Sequence, residues 1–213
     1  MRTKYAAIFV AMLLFTTTII AQQSDTDKRE SFSFGGKLGV NSSNTYASSG
    51  QDFISDSKAG IAFGIFGGIP FGTYIGFQPE LMISQKGFIG SGTLLGNPYL
   101  LKRTTTFLEI PFLVQIKPIE FMTILIGPQY SYLMHEKNKF TFGDNSAEQQ
   151  FEFNKEIARR SILGFVMGVD INISHIIITG RFGFDVQNNN GDSNSITPRY
   201  KNHWIQLGVG YKL

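Results

Sequence analysis

The sequence predicts an all-β fold, an eight-stranded antiparallel up-and-down transmembrane β-barrel, and three observations lead to this fold class. Eight short stretches alternate apolar residues with small or polar ones, as β-strands do, because successive side chains point to opposite faces. Short turns and long loops alternate between these stretches. The second face is rich in Gly, Ser, Gln and charge, which suits the inside of a narrow barrel whose apolar side meets lipid.

Residues 1–21 have the pattern of a secretory signal peptide. Arg2 and Lys4 precede the uncharged, mostly apolar run 5–20, and Ala21 marks the expected cleavage point. The alternative is a transmembrane anchor, but the run of about 16 residues is short for a helical span of roughly 20. We therefore expect export and, with the barrel pattern that follows, residence in the cell outer membrane.

The composition limits what the exported chain can be. Residues 22–31 are polar and predict a flexible periplasmic leader, and 32–213 form the predicted barrel. The chain has no Cys, which excludes a disulfide or a thiolate metal site. Basic residues form no clustered face, so no nucleic-acid partner is expected. The 20 Phe and 23 Gly are typical of aromatic girdles outside a barrel and tight packing within it.

Alternation sets both the strand positions and the facing of each residue. The third strand is the clearest, with Ile75 and Leu81 on the outward face and Gln78 and Ser84 on the inward one. The strands are expected at about 32–41, 58–69, 75–86, 104–117, 121–133, 160–173, 176–185 and 203–213.

Loop lengths predict the topology. The short turns are 70–73, 118–120 and 174–175, and the long loops are 42–57, 87–103, 134–159 and 186–202. Short turns at one end and long loops at the other are typical of bacterial outer-membrane barrels. We expect the turns and both termini on the periplasmic side and the loops outside the cell.

Three prolines lie within predicted strands. Pro79, Pro111 and Pro128 each remove a donor from the backbone ladder, so they argue against central strands. Bulges at these positions would accommodate them.

A soluble ligand-binding barrel, such as a lipocalin, is the alternative all-β fold. It needs an apolar interior, whereas the predicted interior here carries mostly glycine and charge. Turning the pattern inside out would expose a belt of Ile and Phe far beyond the apolar patch that a soluble monomer tolerates. The transmembrane barrel is favoured.

Four motifs resemble, in the right order, the PorT-like outer-membrane β-barrel family of Bacteroidetes. Residues 77–87, FQPELMISQKG, resemble the family's signature strand, with Ile83 where Tyr is usual. Residues 36–41 resemble its first strand, and 108–113, LEIPFL, resemble its Leu-Glu-Ile-Pro strand. Residues 208–213 resemble the closing strand, which normally ends in Phe rather than Leu.

This resemblance implies an outer-membrane barrel surrounded by outer-membrane lipid and inserted by the barrel-assembly machinery. For the founding member it also implies a link to type IX secretion or gliding, and hence a secretion or surface protein complex as partner. A fold transfers between relatives more safely than a function does.

Charged residues on the inward face are the candidate site. Their functional interpretation is an ion path or a pair of catalytic carboxylates, such as Glu80 with Glu109. The structural interpretation is a network of ion pairs filling a lumen too narrow for a pore, because buried charges must be paired. We favour a structural network formed by Lys37, Glu80, Lys86, Glu109, Lys117, Asp170, Arg181 and Asp185.

The remaining polar residues predict no cofactor and no metal. His135, His175 and His203 are dispersed over a loop, a turn and a strand start. The polar run 187–195 fails as a calcium loop, because alignment on Gly191 puts Val and Thr at the first and last ligand positions.

Two classes of function remain. The favoured one is a non-enzymatic outer-membrane barrel that is structural or serves a partner complex. The alternative is an outer-membrane enzyme that modifies lipid at its outer loops, with His135 beside Glu136 as the acid–base candidate. The sequence shows no convergent Ser, His and Asp set, which favours the first class.

Overall fold

The computed structural model describes residues 28–47, 55–94, 97–142, 145–151, 160–189 and 200–213. These residues form one short 3-10 helix, Lys28–Glu30, and nine β-strands. The strands are β1 (Ser33–Ala47), β2 (Ser55–Pro70), β3 (Ile75–Leu94), β4 (Asn97–Ile119), β5 (Met122–Phe142), β6 (Asn145–Phe151), β7 (Ser161–Ile173), β8 (Ile176–Asp185) and β9 (Tyr200–Lys212).

Within the described ranges, no helix has the length and apolar character needed to cross a membrane.

Eight of the strands close into an antiparallel barrel, as predicted. The ring runs β1-β2-β3-β4-β5-β7-β8-β9, and β9 pairs back onto β1, for example at Leu38↔Val209. β6 lies outside the ring and pairs with the far part of β5. The end of the barrel that carries the turns 71–74, 120–121 and 174–175 is called the short-turn end, and the opposite end is the long-loop end.

Side chains alternate between the lumen and the outer wall along the strands of the ring, with interruptions at the register shifts on β2 and β5. Leu207 on β9 is 67% exposed on the wall, while Trp204 is 2% exposed inside. On β8 the same alternation runs without interruption from Ile176 to Asp185. The large apolar side chains of the wall are exposed only because lipid is their solvent.

The lumen contains more apolar packing than the sequence pattern indicates. Leu113, Leu125, Val166 and Trp204 point inward and form one buried cluster. Apolar side chains therefore fill part of the lumen, which the sequence pattern predicted to contain mostly glycine and charged residues.

Two predicted long loops are mostly strand. β3 and β4 stay paired as far as Leu94↔Asn97, so 87–103 forms a tight hairpin rather than a loop. β5 continues to Phe142 and returns as β6, which replaces much of the predicted loop 134–159. These segments lie beyond the apolar belt, where the contrast between the two faces fades although backbone pairing continues.

The barrel accommodates the three prolines without bulges. Pairing skips two residues beside Pro79, Pro111 and Pro128, and the register is the same on both sides of each gap. The barrel tolerates a missing donor locally. The register shifts lie elsewhere, between Ser57 and Ala62, Thr106 and Phe107, and Ile116 and Ile119.

Gly87 is a position that requires glycine. Its φ is 155°, and a Cβ there would lie 2.1 Å from the carbonyl oxygen of Arg103. The Ser43 hydroxyl accepts the Gly87 N–H at 2.8 Å and bonds the Gly87 carbonyl at 2.9 Å. This contact fixes the backbone next to Lys86, whose side chain enters the lumen.

Candidate functional site

The lumen is the candidate site, since the structure buries all eight residues of the predicted network inside the barrel. Each is at most 7% exposed. Most of them fall into two separate ion clusters, and Lys117 lies apart at the short-turn end. The network is therefore divided, with apolar packing between its parts.

The central cluster joins Lys37 on β1, Glu80 on β3, Asp170 on β7 and Arg181 on β8. Arg181 donates to both oxygens of Glu80, at 3.0 and 2.9 Å. The Lys37 ammonium bridges Glu80 at 3.2 Å and Asp170 at 2.7 Å. A fourth contact of 3.5 Å links Arg181 to Asp170. Two cations and two anions alternate around a closed ring, so the cluster is electrically neutral.

Small neighbours on the adjacent strands make room for these long side chains. Gly168 pairs with Arg181, and a Cβ at Gly168 would lie 3.2 Å from the Arg181 Cγ. Gly210 pairs with Lys37, and a Cβ there would lie 3.0 Å from the Lys37 Cγ. Glycine thus lets the charged stems pack against backbone instead of against side chains.

Hydrogen bonds extend the central cluster toward the short-turn end. The Gln78 amide donates to Glu80 at 2.6 Å, and Gln115 donates to Gln78 at 2.6 Å. Beyond them, the Lys117 ammonium donates to the backbone carbonyl of Arg29 at 2.6 Å. Arg29 lies in the 3-10 helix, so this part of the predicted leader contacts the short-turn end of the barrel.

The second cluster lies nearer the long-loop end. The Lys86 ammonium contacts Glu109 at 2.5 Å, and it lies 3.0 Å from the centre of the Trp204 ring. The Asn202 side chain donates to Asp185 at 2.5 Å. Lys86 and Glu109 are the charged neighbours of the Asp185 carboxylate. The Lys86 ammonium therefore interacts with two carboxylates, those of Glu109 and Asp185. The Asn202 amide and the Trp204 ring complete the cluster.

The arrangement does not suit catalysis by the predicted carboxylate pair. Glu80 and Glu109 belong to different clusters and contact different cations. Both Glu80 oxygens accept charge-assisted hydrogen bonds, so this carboxylate has little capacity to act as base or nucleophile. Across the described part of the chain, no group of three or more His, Asp or Glu is placed to hold a metal ion.

The histidines lie far apart. His175 is in the turn between β7 and β8, where its Nδ1 lies 2.9 Å from the Lys212 carbonyl oxygen and its ring stacks on Tyr211. His203 packs against Tyr46 on β1. His135 lies on β5 opposite Thr106. The polar run 187–195 falls largely outside the described residues.

Sequence reasoning missed a third polar cluster, above the second one. Arg103 donates to Asn138 at 2.8 Å and to the Tyr200 hydroxyl at 2.8 Å, and it pairs with Glu136 at 3.2 Å. Arg103 fell one residue outside the predicted fourth strand. Continuing the inward alternation from Glu109 through Phe107 and Thr105 would have found it.

Comparison with known proteins identifies the family to which this chain belongs. The sequence model described as "Outer membrane protein beta-barrel domain" matches residues 20–197, which is most of the chain. A search of the curated proteins finds no match.

Several solved outer-membrane structures are similar at low sequence identity. Ail, the attachment invasion locus protein of Yersinia pestis, is 14% identical over 85% of this chain and 98% of its own, with a TM-score of 0.44. Neisserial surface protein A is 11% identical over 84% and 97%, with a TM-score of 0.48. OprG of Pseudomonas aeruginosa is 15% identical over 85% and 95%, with a TM-score of 0.36.

Three findings agree on where this protein resides. The ring of strands is closed, its outer wall is apolar, and its charges are gathered inside. Together with the match over residues 20–197, they show that the chain belongs to the outer membrane protein beta-barrel domain family and resides in the outer membrane.

Proposed function

We propose that this outer-membrane barrel is non-enzymatic and acts by binding a protein partner at its long-loop end. The observation that supports this most is the strand extension formed by the far parts of β3, β4 and β5 together with β6. On β4 the last lipid-facing apolar residue is Leu108, and the strand continues to Asn97. At about 3.3 Å per residue and a strand tilt near 40°, the extension rises roughly 25 Å or more above the belt.

The extension is braced from inside. Arg103 on β4 bonds Asn138 and Glu136 on β5 and reaches Tyr200 on β9. Tyr99 stacks on Phe140 with ring centroids 5.7 Å apart. These contacts hold the strands in a fixed arrangement, and rigid surfaces bind partners at a lower entropic cost.

The extension also presents apolar side chains away from the membrane. Leu100 is 42% exposed on the outer face, where it pairs with Thr141, and Phe140 is 37% exposed on the inner face of the neighbouring strand, where it pairs with Leu101. Exposed apolar groups on a water-facing rigid surface are typical of protein-binding sites.

The filled lumen supports a binding role over transport or catalysis. Trp204, Leu113 and Leu125 pack between the ion clusters. A lipid-modifying enzyme remains the alternative, and it would need His135 together with a nucleophile at the outer rim.

We further propose that the partner belongs to a type IX secretion or gliding assembly. The support is the resemblance of residues 77–87 and 108–113 to PorT-like barrels. The structure places the charged residues of the two motifs in the lumen clusters, with Glu80 in the central one and Lys86 and Glu109 in the second. The charged residues of the motifs therefore stabilise the barrel interior, and we place the partner-binding surface in the extension.

Site-specific photo-crosslinking in the parent bacterium tests this. A photoreactive residue at Leu100 or Phe140 should give one discrete protein adduct, identified by mass spectrometry as a secretion or gliding component. The matched control is Ile178, which is 50% exposed on the lipid-facing wall and should give lipid adducts. Lipid adducts at all three positions would contradict a protein partner.

A truncation separates the extension from the barrel. Replacing residues 90–101 by Asn-Gly shortens the β3–β4 hairpin by paired residues, because Gly90 pairs with Leu101. The variant, with the photoreactive residue at Phe140 because Leu100 is deleted, should keep heat-modifiable gel migration and lose the crosslinked partner. Full retention of protein export and gliding by this variant would refute the proposed role, whereas lipid-modifying activity lost on His135→Ala would favour the enzyme.

A further inference from the structure

The second ion cluster of the lumen contains more carboxyl groups than cations. Its ionisable members are Lys86, Glu109 and Asp185, and each is at most 4% exposed. The Lys86 ammonium contacts Glu109 at 2.5 Å and is also the cation that acts on Asp185. Among the described residues, no further ion pair involves any of the three. Two carboxylates and one ammonium would leave one negative charge, whereas the central cluster is neutral.

The described residues around Asp185 supply no second cation. On β7 its backbone partner is Gly164, which has no side chain, and on β9 Asn202 contributes a neutral amide. On β1 the Tyr46 phenol is within electrostatic reach of Asp185, and a phenol is neutral below about pH 10. On β2 the Lys58 ammonium contacts a backbone carbonyl of its own strand at 3.4 Å rather than a carboxylate. The excess negative charge therefore stays with the cluster.

The surroundings of the Asp185 carboxyl group are unfavourable for a full negative charge. Its Oδ2 accepts the Asn202 backbone N–H at 3.3 Å and the Asn202 side-chain amide at 2.5 Å. Its Oδ1 has no hydrogen-bond partner in the described part of the chain. The Trp204 ring, which covers Lys86, belongs to the apolar packing of the lumen. An ion without a counter-ion is costly in such a place, and two carboxyl groups that share a site retain a proton instead.

We propose that Glu109 and Asp185 together bind one proton at neutral pH, which makes the second cluster a buried proton-binding site. The proton belongs to the pair, because two interacting carboxyl groups titrate as one unit. With the proton bound, the cluster contains one ammonium, one carboxylate and one neutral acid, and its charges balance. The inference is independent of the proposed protein partner.

The bound proton makes the stability of the barrel depend on pH. In the unfolded chain both carboxyl groups lose their protons near pH 4. The folded cluster keeps one proton to a higher pH, so in between the folded chain binds more protons than the unfolded chain. The free energy of unfolding should therefore fall as the pH rises through this range, and the fall should end once the folded cluster has released its proton.

Infrared spectroscopy of the full chain refolded in lipid vesicles observes the proton directly, because a protonated carboxyl group has a carbonyl band separate from the carboxylate bands. The wild type should show this band at neutral pH, where exposed carboxyl groups are ionised. Asp185→Asn and Glu109→Gln should each abolish it, since one carboxylate then matches one ammonium. Asp170→Asn is the matched control, because it makes the same chemical change in the neutral central cluster and should keep the band.

Urea unfolding followed by Trp204 emission measures the effect on stability. The wild-type midpoint should fall between about pH 5 and pH 9, and the fall should be smaller in Asp185→Asn. Heat-modifiable gel migration selects the folded samples. Asp185→Asn and Glu109→Gln give two independent readings if one of them fails to assemble.

Other outcomes overturn the proposal. A wild-type spectrum without the band at neutral pH would show that the pair binds no proton. A band that persists in both Asp185→Asn and Glu109→Gln, or that is lost in Asp170→Asn, would place the proton elsewhere. A midpoint that follows the concentration of sodium or potassium instead of pH would show that a metal cation neutralises the cluster.

Discussion

The ammonium of Lys86 lies 3.0 Å from the centre of the Trp204 ring and contacts the Glu109 carboxylate at 2.5 Å, deep inside the barrel. A cation held between a carboxylate and an aromatic face is stabilised by both, and desolvation strengthens each attraction. Trp204 is also the single tryptophan of the chain. Its fluorescence therefore reports on this one site.

Removing that cation should destabilise the barrel. Lys86→Met leaves Glu109 without the ammonium that contacts it, and breaking a buried pair costs about 3–5 kcal/mol. Urea unfolding in lipid vesicles, followed by Trp204 emission, measures the loss. Lys86→Met/Glu109→Gln should recover part of it, since Asp185, which Asn202 still bonds, is then the one carboxylate of this cluster left without the ammonium. Unfolding of Lys86→Met at the wild-type midpoint would show that the pair contributes nothing.

A guanidinium on the outer wall should be more harmful than the change of Gln129, in the lumen, to glutamate. Phe165→Arg or Ile110→Arg places a guanidinium in lipid, at a cost of roughly 2–4 kcal/mol near the membrane midplane. Gln129→Glu changes an inward residue that bonds Ser131 and should be tolerated better. Heat-modifiable gel migration after assembly compares them. Normal migration of Phe165→Arg would mean that the outward assignment of this strand is incorrect.

The lumen should not conduct as a general pore. Eight strands enclose little free volume, and here the clusters around Arg181 and Lys86 and the packing around Trp204 occupy it. Planar bilayers containing the purified protein should show no large, stable single-channel steps. Porin-like steps would refute a closed lumen, and steps abolished by Glu80→Gln would identify the central cluster as their path.

Labelling on intact cells should distinguish the two ends. Leu100→Cys lies on the extension at the long-loop end, and Glu120→Cys lies in the turn between β4 and β5. Because the chain has no cysteine of its own, a membrane-impermeant maleimide reports each position alone. Label on Leu100→Cys only is expected. Label on Glu120→Cys only would show that the barrel has the opposite orientation in the membrane.

Alternation predicted the strands of the belt because lipid imposes a sharp contrast between the two faces. Phe63 beside Gly64 is one example. The residue types alone predict that Phe63 faces lipid and Gly64 faces the lumen, without knowledge of the partner strand. Beyond the belt both faces meet water, the contrast disappears, and Arg103 was assigned to a loop. Inward apolar residues such as Leu113 were harder still, because their position in the alternation favours the lumen while their residue type favours lipid.

The contacts inside the lumen required the register. Lys37 meets Asp170 across a sequence separation of 133 residues, and Arg181 meets Glu80 across 101. Each strand places its residue at a height that depends on every pairing around the ring. The shift at Met134 shows the difficulty, because one skipped residue decides whether Glu136 or Lys137 faces inward. Nothing in the local sequence marks that position.

The central cluster has a consequence for how the barrel assembles. Its four members come from β1, β3, β7 and β8, and β1 meets its last neighbour only when β9 arrives. Until then Lys37 has only Glu80 and Asp170 has only Arg181 as a partner, in a sheet still open to the membrane, and such incompletely paired ions are costly. Partly closed species therefore have a higher free energy. The contacts that form on closure are distant in sequence, which slows the search for them. Insertion should accordingly be slow and cooperative, and the contact between Lys37 and Asp170 should form in the final step.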